Sequence, residues 1–405
     1  MVRGDGKYLY DSENRAYLDF FGGILTVSVG HCNEKVNKRI HEQVDTLQHV
    51  STLYPTIPMV ELAEKLAALT PGRLQKSFFT NSGTEADETA VLLAQVYTGR
   101  REVIAFRHAY HGRSQLAMSL TAHAPWRSGP TAIPGIKHAH NAYCYRCPFG
   151  MTYPNCDLRC AKDVEELIQT TTSGQIAAVI AEPIQGVGGF ITPPPGYFQE
   201  LHRITKEYGG LFISDEVQTG WGRTGKYMFG IQHWGVEPDV MTSAKGMANG
   251  TPIGWTITTP EVAEAFTGLT ISTFGGNPVS MSAAMGTLEV IEEESLIDNA
   301  EKVGTQLMGG LEELKQTYSM VGDVRGKGLM IGVEFVHENK RPAPDLTLAF
   351  MEATKKRGLL LGKGGLYGNV IRVVPGLNIT SADAAEALKI MQESLTEISA
   401  GVSLA

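Results

Sequence analysis

Hydrophobic positions follow two different regimes along the chain. From about residue 58 to 260, short apolar runs at 76–80, 102–106, 176–182, 210–215, 239–243 and 253–258 alternate with helix-period segments at 58–69, 84–98, 161–171 and 196–208. Apolar runs this short suit strands, and strand–helix alternation predicts a mainly parallel sheet with helices on both faces. Ahead of this region, Lys7-Tyr8-Leu9-Tyr10 and Ala16-Tyr17-Leu18-Asp19-Phe20 flank a turn at Asp11-Ser12-Glu13-Asn14 and read as a hairpin. After 275 the pattern changes to long helices at about 277–293 and 296–318, short strands at 328–336 and 369–374, and a closing helix from about 381. The predicted chain is therefore α/β. A large domain (46–275) carries the mostly parallel sheet, and a smaller α+β domain is built from 276–405 and an N-terminal segment (1–45).

Composition narrows the class. The chain has 405 residues, 42% hydrophobic and 19% charged, which suits a soluble enzyme with a large core. The formal charge of −8 comes without a basic tract, so neither nucleic acid nor an anionic membrane is an expected partner. No apolar run approaches the ~20 residues of a membrane span. Met1-Val2-Arg3-Gly4-Asp5-Gly6 has neither an apolar signal core nor an Arg-rich presequence, and the expected location is cytoplasmic.

The chemistry concentrates where apolar runs end. Asp215 closes Leu211-Phe212-Ile213-Ser214, and Lys245 follows the small residues Thr242, Ser243 and Ala244. An acid at the end of a central strand points into the crevice where open α/β sheets bind ligands. A lysine in a partly dry pocket titrates low and serves as nucleophile and base. Together they match the pair that pyridoxal phosphate requires: an amine for its aldehyde and an anion for its pyridine nitrogen. Gln218 can donate to the ring oxygen, and Val217 can press on one ring face. Ser82 and Glu85 stand in capping-box spacing at a predicted helix start, with Gly83 between them, which forms a phosphate site. An ordinary capped helix has the same spacing, so this motif counts only beside Asp215 and Lys245.

The joint pattern is specific. Asn81-Ser82-Gly83-Thr84-Glu85-Ala86, Ala109-Tyr110-His111-Gly112, Glu182-Pro183-Ile184-Gln185-Gly186, Asp215-Glu216-Val217-Gln218, Ser243-Ala244-Lys245-Gly246 and Thr273-Phe274-Gly275-Gly276-Asn277-Pro278 resemble the class III, fold-type-I aminotransferases that use pyridoxal phosphate. The resemblance runs from about residue 7 to 395. It is nearest the mitochondrial-type alanine–glyoxylate and β-amino acid–pyruvate enzymes, on the stretches 18–32, 322–332 and 362–365.

The resemblance implies roles. Lys245 would carry the cofactor and Asp215 would face its ring nitrogen. Ser82, Gly83 and Thr84 would hold the phosphate. Tyr110 would stack on the ring, with His111, Glu182, Val217 and Gln218 in the same shell. Thr273 would reach the cofactor of a neighbouring subunit in a homodimer or a dimer of dimers. Arg372 would receive the substrate carboxylate, with Leu53 and Tyr54 at the pocket mouth. The implied reaction is ping-pong transfer from an amino acid, a β- or ω-amino acid or an amine to pyruvate or glyoxylate. Racemases, epimerases and amino-alcohol phosphate phospho-lyases of the same class remain the alternatives. A non-catalytic homologue is disfavoured because Lys245 and Asp215 are both present.

Some positions depart from the pattern. Where GABA and ornithine aminotransferases carry a glutamate that masks the carboxylate-binding arginine, this chain has Val187. Gly376 replaces a second proline, and His31-Cys32-Asn33-Glu34 replaces a His-x-His-Pro run. The first hairpin is expected to lack the preceding arm that lines the pocket in relatives. Cys144, Cys147, Cys156 and Cys160 fall within seventeen residues, with near zinc-like spacing. Free thiols in a packed loop are favoured there over a structural zinc, and disulfides rank third.

Overall fold

In the computed structural model, which describes residues 1–130 and 133–402, every position of 103–106, 178–181, 211–215, 240–243 and 254–258 is buried. Three strands open the chain: β1 (Arg3–Asp5), β2 (Tyr8–Tyr10) and β3 (Ala16–Phe20). Seven follow between 76 and 258: β4 (Lys76–Thr80), β5 (Val103–Phe106), β6 (Ile136–Ala139), β7 (Ala178–Ala181), β8 (Leu211–Asp215), β9 (Val240–Ser243) and β10 (Gly254–Thr258). These seven form one sheet in the order β4-β10-β9-β8-β7-β5-β6. Pairings from β9 through β8, β7 and β5 to β6 are parallel, and only β10 runs antiparallel to its neighbours β4 and β9. Near-continuous apolar strands are what a sheet covered by helices on both faces requires.

Four late strands, β11 (Val321–Lys327), β12 (Met330–Phe335), β13 (Leu359–Gly364) and β14 (Val370–Val373), join the opening three in a second sheet ordered β1-β2-β3-β13-β14-β12-β11. The two ends of the chain meet through the parallel pairing of Leu18 with Leu359 and Phe20 with Leu361. The smaller α+β unit is thus assembled from the N-terminal hairpin and the C-terminal segment, as expected.

Four strands differ from the sequence reading, the first being β1, which pairs with β2 ahead of the expected hairpin. Edge strand β6 is Ile-Lys-His-Ala, too short and polar to signal itself. β13 reads as a loop because Leu359-Leu360-Leu361 runs into glycines. The single strand expected at 328–336 is one arm of a hairpin whose other arm, β11, carries Asp323, Arg325 and Lys327 on a partly buried face.

Caps fix the helices that matter most. The Asn33 side chain accepts from the Lys35 and Val36 amides at the start of helix Glu34–Thr46, and Asn277 does the same for Val279 ahead of helix Pro278–Glu293. These two helices pack on each other and are tied by the Arg39–Glu289 pair. Among the described residues no helix is long and apolar enough to cross a membrane.

Candidate active site

The C-terminal ends of the parallel strands converge on a cleft of about 480 Å³. β8 delivers Asp215, β7 ends just before Glu182, β5 leads into the loop carrying Tyr110 and His111, and β9 leads into Lys245. This is where open parallel sheets place their ligands, since the loops and helix N-termini gather there. Gly83, Thr84, Tyr110, His111, Glu182, Asp215, Val217, Gln218 and Lys245 all line the cleft. Ser82 stands one residue outside it as the cap of helix Gly83–Thr98, and its hydroxyl accepts from the Glu85 amide at 3.3 Å. The Glu85 carboxylate returns to the Asn81 amide at 2.7 Å, one residue before the cap, so the reciprocal bond of the capping box read from the sequence falls on Asn81 rather than on Ser82.

Both carboxylate oxygens of Asp215 have a protein partner. One carboxylate oxygen accepts from the Val217 amide at 3.0 Å, and the other lies 2.8 Å from His111 Nδ1. Asp87, within helix Gly83–Thr98, lies 3.8 Å from the same imidazole nitrogen and accepts from the Thr242 hydroxyl at 2.7 Å. Burial, and then the charge of Asp215, push the Asp87 carboxyl upward. Burial alone would lower His111, but the hydrogen bond and charge of Asp215, with Glu182 behind them, raise it. Asp87 escaped the sequence reading. Its signal was a carboxylate on the same helix face as Ala86, Ala90 and Val91, all buried.

Glu182 accepts from the Tyr110 amide at 3.0 Å and the Gly186 amide at 2.8 Å, tying two cleft loops together. Burial first, and then Asp215, raise its carboxyl to about 7. Lys245 takes a left-handed backbone conformation (φ +43°), which costs a non-glycine residue roughly 1–3 kcal/mol and marks functional strain. Burial lowers its amine, although Asp215, Glu182 and Asp87 pull the other way.

The cleft fits pyridoxal phosphate on several counts. A Cβ on Gly83 would sit 3.1 Å from the Val217 methyls, so the glycine keeps open a slot at the helix N-terminus. Buried His111 Nε2 and Gln218 Oε1 have no protein partner, leaving polar atoms for a bound group to satisfy. Gln218 is backed by Gly186, where a Cβ would come within 2.1 Å of its amide oxygen. Gly112 (φ +128°) brings the next loop onto Thr84, and the Arg113 amide donates to the Thr84 hydroxyl at 3.3 Å.

Arg372, on β14 of the other sheet, is not among the residues lining the cleft, but its charge acts on Lys245 and it feels that of Glu182. Its Nε donates to the Lys363 carbonyl at 3.2 Å, and its guanidinium carbon lies 4.9 Å from the Phe21 ring centroid and 5.8 Å from that of Phe190. One terminal nitrogen, Nη1, is buried without a partner. Burial lowers this guanidinium to about 10, offset only in part by Glu182, and its charge in turn opposes protonation of Lys245.

Besides Ser82 and Arg372, three more expected residues do not line the cleft. Leu53 and Tyr54 are 76% and 67% exposed, and Thr273 is exposed in the loop after Phe266. That loop borders a separate groove of about 780 Å³ formed with Met59, Phe79 and Leu92. The four clustered cysteines are free thiols around one small cavity. Among the described residues no three of them bring their sulfurs within 4.8 Å of one another; Asp87, His111 and Asp215 are the group that meets that spacing. Burial, with Cys144 and Cys156 nearby, pushes the Cys160 thiol up to about 12.

Comparison with known proteins agrees with this geometry. The family model described as aminotransferase class-III matches residues 1–395. An alanine–glyoxylate aminotransferase 2 homologue from Arabidopsis thaliana, named as mitochondrial, is 42% identical over 98% of this chain and 83% of its own length. A leucine/methionine racemase from Thermococcus litoralis is 36% identical over 99% of this chain and 91% of its own. A PLP-bound amine transaminase from an uncultivated Pseudomonas species superposes with a TM-score of 0.92 at 32% identity, covering 98% of this chain and 94% of that one. The chain is therefore a class III aminotransferase, a pyridoxal-phosphate enzyme of fold type I.

Proposed function

We propose that this aminotransferase passes amino groups from α-, β- or ω-amino donors to pyruvate or glyoxylate, with Arg372 as the receptor for the acceptor's carboxylate. The observation that carries this reading is the unpartnered Nη1 of Arg372 in a buried setting. Among the described residues Arg372 makes no ion pair. Val187 is close by: a Cβ on Gly364 would lie 3.1 Å from Arg372 Cδ and 3.3 Å from the Val187 carbonyl oxygen, which takes the Gly365 amide at 2.9 Å. A buried guanidinium without a carboxylate is costly, and a substrate carboxylate supplies the missing partner through two parallel hydrogen bonds.

When bound, pyridoxal phosphate supplies an aldehyde that condenses with amines and a ring that accepts the electron pair released at the substrate Cα. The chain's residues do the rest. Helix Gly83–Thr98, through the N–H groups of its first turn, would hold the phosphate with Ser82 and the Thr84 hydroxyl. Asp215, anchored by His111 and the Val217 amide, would hold a proton on the ring nitrogen. Tyr110 and Val217 would bracket the ring. Lys245 Nζ, lowered by burial, would carry the cofactor and, once displaced, move a proton from Cα to the cofactor carbon on the same face. Glu182 would fix the loops on either side.

The proposal extends to assembly. Exposed Leu53, Tyr54, Ile57, Leu269 and Phe274 give the Thr273 surface an apolar character that supports a homodimer with Thr273 reaching the partner's cofactor. The separate memberships of the two sheets support a division at about 46 and 276. A cytoplasmic site of action is part of the proposal, and cell fractionation would decide it against the mitochondrial location named for the Arabidopsis relative.

The test is a donor panel (alanine, β-alanine, 3-aminoisobutyrate, an aromatic amine) followed by pyruvate or glyoxylate, read by cofactor absorbance. Donors should convert the cofactor to its amino form and either keto acid should restore it. Racemisation of alanine without that conversion would favour the racemase reading instead.

A further inference from the structure

A second charge cluster, centred on a buried carboxylate, lies outside the residues that line the cofactor cleft. Glu334 of β12 is fully buried. Its carboxylate receives Arg325 Nη1 at 2.7 Å, Arg146 Nε at 2.5 Å, Asn369 Nδ2 at 3.3 Å and the Tyr143 hydroxyl. Arg325 of β11 also donates to Asp323 at 2.7 Å and to the Gly189 carbonyl at 2.9 Å. Tyr143 and Arg146 come from the cysteine-bearing segment, nearly two hundred residues away in sequence, so the cluster clamps three separate pieces of chain.

Each piece bears on Arg372. Glu334 pairs across the sheet with Val370, and Gly332, two residues earlier on β12, pairs with Arg372 itself. Gly189 lies directly over Gly332, where a Cβ would be 2.9 Å from the Gly189 carbonyl. The next residue, Phe190, sets its ring under the Arg372 guanidinium. The Val187 carbonyl in the same loop accepts from Gly365, and a Cβ on Gly364 would come within 3.1 Å of the Arg372 side chain. Arg325 thus holds one end of the loop whose other end walls the arginine.

We propose that Glu334 and Arg325, with Tyr143 and Arg146, are positioning residues that set the Arg372 guanidinium for a carboxylate they never touch, and so govern affinity for the keto acid rather than the rate of proton transfer. This inference rests on the reading of Arg372 as carboxylate receptor. Electrostatics agree: burial alone would raise the Glu334 carboxyl, but Arg325, Tyr143 and Arg146 outweigh it and hold it low.

Steady-state kinetics of the holoenzyme with alanine and pyruvate would test it. Glu334→Gln should raise KM for pyruvate about tenfold, while kcat and the cofactor Kd stay within about twofold. Displacement of a binding group by a fraction of an ångström has effects of this order. Tyr143→Phe keeps every charge and should shift KM the same way by a smaller factor, which covers the case of a poorly folded Glu334→Gln. Arg372→Ala tests the parent reading separately: a selective rise in pyruvate KM supports it, and no rise refutes it. With Arg372→Ala behaving as expected, an unchanged KM in Glu334→Gln and Tyr143→Phe would overturn the inference. So would KM, kcat and cofactor Kd moving together, since that marks general loosening.

Discussion

Arg325 and Arg372 stand on β11 and β14 of one sheet, both nearly sealed from water, yet they are treated in opposite ways. Arg325 has Asp323, Glu334, Tyr143 and the Gly189 carbonyl around it, and these partners raise its affinity for its proton despite burial. Arg372 has one backbone carbonyl, and burial lowers it to about 10. Folding completes the partner set of the first and leaves the second incomplete. A charge with a full set of partners is part of the scaffold; a buried charge missing one is reserved for a ligand.

Substitution breaks this comparison most sharply. Arg325→Met should cost about 3–5 kcal/mol in unfolding experiments, because it strands Asp323 without its ion-pair partner and leaves Glu334 with Arg146 as its one cation. Arg372→Met should leave stability unchanged or slightly improved, since it removes an under-partnered buried charge, while KM for pyruvate rises about 100-fold through loss of a bidentate carboxylate contact. Equal destabilisation by the two changes would show that Arg372 is structural.

The next effect tests what keeps Arg372 open. Val187→Glu would offer the arginine a carboxylate within the chain. The pyruvate half-reaction should weaken about tenfold, the scale of a charged hydrogen bond formed in competition with substrate. Unchanged kinetics would mean that Val187 does not face the guanidinium closely enough to matter.

The smallest effect concerns the carboxylates. Glu334, held low by its cations, contributes stability that is present above its ordinary titration range and lost as pH falls through its depressed value. Glu182 has the opposite sign. Its folded carboxyl titrates near 7 against an ordinary 4.5, so its contribution is present below 4.5 and lost as pH rises toward 7. Melting of the cofactor-free enzyme should show a decline across that upper window, and Glu182→Gln should flatten it while leaving the acid-side fall in place.

What could be read in the sequence follows the same division. Asp215 and Lys245 end apolar strands, and Ser82 with Glu85 opens a helix, so local pattern was enough to find them. Asp87 hides inside a helix because its partners, His111 and Thr242, arrive from other strands. The Arg325–Glu334 clamp was invisible for a related reason: Tyr143 and Glu334 lie 191 residues apart, and nothing local announces their meeting. Strand β13 was lost because glycines follow its three leucines, although that strand joins the two ends of the chain. Leu53, Tyr54 and Thr273 are exposed and lie outside the cleft, and their roles belong to the proposed homodimer.

Borohydride reduction followed by peptide mass analysis tests the central claim most directly. The resting enzyme should yield one modified peptide, with the cofactor fixed to Lys245. Prior incubation with alanine should abolish the adduct, and subsequent pyruvate should restore it. An adduct at another lysine, no adduct at all, or a failure of pyruvate to bring it back would contradict the account.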